Sequence, residues 1–380
     1  MDFTYTSEQQ ALADGVERFC ARDYGFENRN ALLAQPDGFS RQNWLQFAEL
    51  GWLGAGLSEE AGGFGGGPIE NMILSEAFGR ALVVEPFQST AVHALQTLCK
   101  LPASELRDEL VMGIVSGETL VAVAHGEATG RGDESIVGCS FADGKITGAK
   151  TLVFGAPSAN RLLVSARSGE GLGLYLVAPD AVGLSSNPYR TLDNQRVADL
   201  SFDRTPVLAL LGEGAVAEAA ISAGYAHART MLCAEAVGAM DAAILMTRDY
   251  LKTRKQFGTT LNNFQALQHR MADMLVELEL SRSIVYQAVA ALDAAPAVRD
   301  RAISAMKAVV SAAAMFVGRY AVQLHGGIGM TEEYAIGHYY RKLYVASSIF
   351  GSESLHLKRM AAHPQPFWSD MPVSEAASEA

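Results

Sequence analysis

Two segments about seventy residues apart decide how this chain is read: Thr253-Arg254-Lys255-Gln256-Phe257-Gly258, continued by Asn263-Phe264-Gln265, and Gln323-Leu324-His325-Gly326-Gly327-Ile328-Gly329-Met330-Thr331-Glu332. Taken singly, each reads as a helix end, with Arg254 a solvated terminal side chain and Gly326-Gly327 a terminator. What lies between and around them is helical. Leu267, Met271, Met274, Leu278, Val285 and Val289 sit three, four or seven apart, which makes one apolar face of a long helix. Ala302–Tyr320 is Ala-rich and carries Met306, Val310 and Phe316, a composition suited to burial between helices. The helical pattern runs from about residue 215 to about 362.

Upstream the pattern changes. Leu120–Ala124, Lys145–Thr147, Leu162–Ala166, Leu174–Val177 and Leu200–Phe202 are short apolar runs at fairly regular spacing, punctuated by Gly, Asp, Asn and Pro. They predict a small antiparallel barrel or sandwich. Before them the chain is helical again. Leu12, Val16 and Phe19 have helical spacing, and Ser40 is placed to cap a helix beginning at Arg41. Gly62-Gly63-Phe64-Gly65-Gly66-Gly67-Pro68 follows Ser58-Glu59-Glu60 rather than a strand, so it predicts a turn and not a dinucleotide loop. The expected architecture is mainly α with a β insert: an N-terminal helical domain over 1–118, a middle β-barrel domain over 119–212, a C-terminal four-helix bundle over 213–363, and a loose tail over 364–380. There is no internal repeat.

Composition narrows the function classes. The sequence has 380 residues, 49% of them apolar and 19% charged, values ordinary for a globular protein with a large core. A net charge of −12, with no Lys/Arg-rich run, argues against a nucleic-acid partner. Met1-Asp2-Phe3-Thr4-Tyr5 is no signal peptide, and no uncharged apolar stretch reaches the roughly 18 residues that span a membrane. Cys20, Cys99, Cys139 and Cys233 match no metal or redox spacing, so no metal site is expected and the reading is free thiols in a reducing cytoplasm.

The two opening segments, in this order and spacing, resemble the cofactor-holding motifs of the acyl-CoA dehydrogenase family. Glu49-Leu50-Gly51-Trp52-Leu53 and Glu59-Glu60-Ala61-Gly62-Gly63-Phe64-Gly65 strengthen the likeness, which covers about residues 1–362. Gly38-Phe39-Ser40, Gly62 to Glu70 and Phe78-Gly79-Arg80-Ala81-Leu82 look most like small subunits of pimeloyl-CoA dehydrogenase. The resemblance implies FAD as cofactor and α,β-desaturation of an acyl-CoA thioester. It implies FAD contacts at Arg254, Gln256, Phe257, Phe264, Gln265, Gln323, Gly326, Gly327 and Ser352, and substrate contacts at Arg229 and Gly351. The doubly charged pyrophosphate suits the planar fork of Arg254, and the glycines allow close backbone approach. In the family these segments grip the adenine end of a FAD whose flavin lies mostly in a neighbouring subunit.

The chain departs from the family where chemistry is done. The family's proton-abstracting Glu precedes a Gly-Thr or Gly-Ser pair; here Phe350 precedes Gly351-Ser352. The alternative base position, before an Arg on an earlier helix, holds Ala228. Glu353, Glu235 and His125 are weaker candidates: a surface carboxylate or ribose contact, a structural ion pair, and a structurally hydrogen-bonded imidazole are their plainer readings. The flavin-contacting stretches hold Ala124-His125-Gly126-Glu127-Ala128-Thr129 and Leu152-Val153-Phe154 instead of the usual residues. Intact segments for a neighbour's cofactor beside an altered cleft of its own describe the subunit lacking the base in an α2β2 dehydrogenase, with a homologous subunit and an electron-transfer flavoprotein as partners. A self-sufficient homotetramer with a relocated base, or a flavin-binding protein without dehydrogenase activity, are the alternatives. The acyl group, whether fatty, dicarboxylyl or sterol-derived, stays open.

Overall fold

The computed structural model describes residues 4–130 and 132–362, so the segment read as a tail lies outside the described residues. Six helices come first: α1 (Ser7–Asp23), α2 (Phe26–Leu33), α3 (Arg41–Glu49), α4 (Pro68–Ala81), α5 (Leu95–Cys99) and α6 (Glu105–Val115). Local rules set their ends. Thr6 and Gln9 form a capping box on α1, and Ser40 accepts from the Asn43 amide at the start of α3. Pro68 opens α4, where its missing amide costs nothing. A π-helical stretch over Phe87–Ala94 runs straight into α5.

Eight strands follow: β1 (Val121–Ala124), β2 (Ser140–Ala142), β3 (Lys145–Phe154), β4 (Arg161–Ser168), β5 (Gly171–Val177), β6 (Leu184–Arg190), β7 (Arg196–Pro206) and β8 (Ala209–Glu213). They form one sheet in the order β6-β7-β3-β2-β4-β5-β8, with β1 added alongside β4. The sheet is mixed rather than wholly antiparallel, because β1 and β2 each run parallel to β4. Three strands escape a sequence reading. β2 is three residues long, β6 is almost wholly exposed, and β8 lacks a buried face, so none carries an apolar pattern.

The C-terminal region holds α7 (Ala215–Thr253), the two-residue strands β9 (Lys255–Gln256) and β10 (Thr259–Thr260), α8 (Gln265–Ala291), α9 (Pro296–His325), α10 (Ile336–Ser348) and α11 (Glu353–Ala361). By length and hydropathy Ala215–Thr253 and Pro296–Met330 could each cross a membrane, despite their few charges. Within their most apolar windows 78% and 61% of residues are buried inside the protein, so both are accounted for as core helices. α7 is the axle of the fold. Its first half packs beneath α5 and the sheet, and its second half packs on α4, α8 and α9. Glycines permit the closest crossing: a Cβ on Gly79 of α4 would lie 1.8 Å from the Glu235 carbonyl oxygen, and one on Gly238 of α7 would lie 1.8 Å from that of Glu76.

Candidate functional site

The α10–α11 turn is built on positive backbone angles, with φ +56° at Phe350 and +106° at Gly351. Gly351 is required there, since a Cβ would lie 2.6 Å from His356 Nε2. Buried cations and imidazoles pin the turn. Arg229 Nε donates to the Phe350 carbonyl at 2.9 Å, and His356 Nε2 donates to the same oxygen at 3.0 Å. Lys307 Nζ donates to the carbonyls of Ala346 at 3.0 Å and Ser347 at 3.2 Å, capping α10. Burial pushes Lys307 down to about 8.

Held in this way, the Phe350 ring closes an aromatic cluster. It lies 5.5 Å from Tyr225, 5.6 Å from His93 and 6.2 Å from Phe154, centroid to centroid. Tyr225 in turn meets the rings of His93 at 4.8 Å and His125 at 5.3 Å. These side chains come from the π-helical segment, the sheet, α7 and the α10–α11 turn, and they leave a cavity of only about 110 Å³. A pocket for a drug-sized ligand is typically about 300–1,000 Å³. Phe350 and its neighbours thus narrow this cleft with packed rings.

Three carboxylates line the same cavity, and each is already engaged. Glu127 accepts from Lys150 Nζ at 2.7 Å and from the amides of Gly138 and Cys139. Desolvation pushes its carboxyl up, but Lys150 and the amides outweigh this and hold it below the usual range. Asp133 accepts from the amide and hydroxyl of Ser135. Glu134 lies 2.7 Å from Arg229 Nη2 and 2.6 Å from Arg359 Nη2. Burial opposes its ionisation, yet the two guanidinium groups bring it down to about 2. A carboxylate so strongly held is a poor proton acceptor at neutral pH.

His125 is committed in the same way. Its Nε2 donates to the Glu134 carbonyl at 2.8 Å, leaving Nδ1 to accept from Ser165 Oγ at 2.7 Å, whose oxygen takes a bond from Lys150 Nζ at 3.0 Å. Burial first, and Lys150 second, push this imidazole down to about 4. Glu235 points into another part of the molecule. It pairs with Lys342 Nζ at 2.6 Å, deep in the α4–α7–α10 core, and burial raises its carboxyl despite that cation. Ala228 is fully buried within α7. Glu353 is exposed in the first turn of α11, and Ser352 caps that helix by accepting from the Leu355 amide.

The two opening segments come together at the far end of the bundle. The Tyr250 ring near the end of α7 stacks on His325 at the end of α9, 4.5 Å apart. Arg254, Gln256, Gln265, Gln323, Gly326 and Gly327 are exposed there, and Phe264 is half-buried. Phe257 is 87% exposed, at φ +54° in the tight turn between β9 and β10. Nothing lies within 4 Å of where a Cβ on Gly326 or Gly327 would sit.

Comparison with known proteins then decides the family. The N-terminal domain model of acyl-CoA dehydrogenases matches residues 6–118, and the C-terminal domain model matches residues 218–364. The chain belongs to the acyl-CoA dehydrogenase family. Among relatives, acyl-CoA dehydrogenase FadE27 of Mycobacterium tuberculosis is 25% identical over 95% of this chain and 98% of its own. A solved variant of the Tcur3481-Tcur3483 steroid ACAD is 32% identical, with a TM-score of 0.85 over 93% of this chain and 96% of its own. The ChsE4-ChsE5 complex from Mycobacterium tuberculosis is 25% identical, with a TM-score of 0.86 over 96% of this chain and 100% of its own.

Within this acyl-CoA dehydrogenase fold, sequence reasoning missed the residues that organise the cleft. Glu134 sits in the Gly-flanked acidic run Gly132-Asp133-Glu134-Ser135, a signal no stronger than a surface loop's. Only the fold brings it between arginines 95 and 225 residues away.

Proposed function

We propose that this chain is the non-catalytic subunit of a heteromeric, FAD-dependent acyl-CoA dehydrogenase. The observation that carries the reading is Phe350, which fills the cleft with aromatic side chains where the family needs a carboxylate. FAD supplies the two-electron acceptance, and the homologous partner subunit supplies the base that takes the α-proton. This chain's contribution is the exposed end of its helical bundle. Arg254 offers a guanidinium to the pyrophosphate, Gln256, Gln265 and Gln323 offer amides, Phe257 and Phe264 offer apolar contact, and Gly326-Gly327 leaves room for the nucleotide. Within its own cleft Arg229 holds the Phe350 turn rather than a substrate.

The names of two solved relatives each give two chains, which supports a heteromeric assembly, and one is called a steroid ACAD. A steroid-derived acyl-CoA is accordingly the favoured substrate class over the dicarboxylyl thioester suggested by the likeness to pimeloyl-CoA dehydrogenase small subunits. An electron-transfer flavoprotein is the proposed electron acceptor. Purifying the chain alone and with its homologous partner, then measuring FAD per chain and flavin bleaching by steroid and straight-chain acyl-CoA, tests the proposal. The expectation is no bleaching by the chain alone, and one FAD per pair of chains with bleaching in the mixed assembly. Full FAD occupancy with turnover by the isolated chain would reject it in favour of a self-sufficient enzyme with a relocated base.

A further inference from the structure

A small cavity of about 50 Å³ lies where the N-terminal helices, the sheet and α7 meet. It shares Phe154 alone with the aromatic cleft. Its charged walls are Asp37 from the α2–α3 loop, Glu85 just before the π-helical stretch, Arg196 at the start of β7 and Glu235 of α7. Three carboxylates thus surround it with one guanidinium. A water needs only roughly 10–15 Å³ of such space, so a small polar head group has room here.

Three buried acceptors on these walls take no hydrogen bond from the protein: Glu85 Oε2, Gln88 Oε1 and Glu235 Oε2. Glu85 is 6% exposed and Glu235 4%. Their other oxygens are engaged. Glu85 Oε1 accepts from the Ser40 amide at 3.3 Å, and Glu235 Oε1 pairs with Lys342 Nζ at 2.6 Å. The Gln88 side-chain nitrogen donates to Ser75 Oγ at 3.4 Å; it also favours the ionised form of Glu235, without reaching Oε2 at hydrogen-bond distance. Asp37 is spent on Arg41 and Ser158. Arg196 is turned towards the α2–α3 loop, where Nη2 donates to the Gln35 carbonyl at 3.3 Å and Nε lies against Gly38. A buried acceptor without a donor is destabilising, and three around one space call for a ligand that donates.

The acceptors select the ligand's chemistry. An anion would meet three carboxylates, and among the described residues no group of three His, Cys, Asp or Glu side chains could hold a metal ion. A primary ammonium carries one positive charge and three N–H donors, which matches three acceptors. The fold already uses this pairing once, because Lys342 brings such a group to the other oxygen of Glu235. We propose that this cavity binds the primary-ammonium head group of a small amine, with Glu85, Gln88 and Glu235 as its acceptors. The bound head group ties the approach to the π-helical stretch to α7 through one ligand. The inference needs neither FAD nor a partner subunit, so it stands or falls apart from the function proposed above.

The test is thermal melting of the full chain in methylammonium chloride, against potassium chloride and tetramethylammonium chloride at equal concentration. The pH is held at 8, above the value of about 7 to which burial pushes the Glu85 carboxyl. Potassium supplies the charge without an N–H, and tetramethylammonium supplies it without a donor or a fit. Methylammonium should raise the melting temperature by about 2 °C or more over both salts, in a saturable way. Glu85→Gln keeps the shape and an oxygen for the Ser40 amide. It should lose that shift while melting in potassium chloride no lower than the wild type. Saturation-transfer NMR on the methyl protons of methylammonium gives a direct reading, with a signal in the wild type that Glu85→Gln abolishes. Equal melting temperatures in methylammonium and potassium chloride, or a shift that Glu85→Gln keeps, would overturn the proposal.

Discussion

Phe350 combines two opposing contributions at one position. Its ring joins Tyr225, His93 and Phe154, while its backbone sits at φ +56°, a region costly for any residue with a Cβ. Phe350→Ala keeps the strain and loses the packing, so we expect a loss of about 2 kcal/mol, below the range for a fully buried Phe because the ring is half-buried. Phe350→Gly loses the same packing but relieves the strain, and should be about 1 kcal/mol more stable than the alanine variant. Denaturant melts of the two variants check the order, which is opposite to that at an ordinary helical site. Neither variant gains a proton acceptor, so neither should acquire acyl-CoA-dependent flavin bleaching. The identity of residue 350 was legible in the sequence; the aromatic partners that give it meaning come from segments as far away as His93 and were not.

Helix packing shows the same division at the next scale. Gly15 and Gly238 are both helical glycines, and propensity alone treats them alike. Gly15 in α1 has nothing within 4 Å of an added Cβ, so Gly15→Ala should stabilise by about 0.5–1 kcal/mol through the unfolded chain. Gly238 in α7 lies against the backbone of α4, where a Cβ would come within 1.8 Å of the Glu76 carbonyl oxygen. Backbone cannot step aside as a flexible side chain can, so Gly238→Ala should cost about 3 kcal/mol or more. Thermal melts of the two variants moving in opposite directions confirm it; parallel shifts would contradict the crossing. The long helices were readable from their apolar spacing, and so were the main strands. The short or exposed strands β2, β6 and β8 were not, because pairing partners rather than pattern define them.

For the whole molecule, buried imidazoles set the response to acid. Burial pushes His93 to about 3, and His125, His227 and His356 each to about 4. In the unfolded chain each takes a proton near 6.5, so below that pH the unfolded state binds more protons and stability falls. Glu85 opposes this, because burial raises its carboxyl to about 7 and the folded state takes up a proton first. Glu235 is also raised by burial and works in the same direction as Glu85. Four imidazoles outweigh two carboxyls, and Glu134, brought down to about 2, adds a further loss as pH drops below its unfolded value near 4.5. Melting temperature should therefore fall as pH is lowered from 6.5 towards 4; a flat or rising profile there would show that these imidazoles are not buried and neutral.

The sequence by itself determined the helix–sheet–helix order, the family, the two surface segments and a phenylalanine rather than a carboxylate at residue 350, because periodicity and local motifs are properties of neighbouring residues. Tertiary structure alone decided that the cleft is filled, that Glu127, Glu134 and His125 are all engaged, and that Glu85, Gln88 and Glu235 share one small cavity. Those facts depend on side chains brought together across hundreds of residues, and no local pattern encodes such distances.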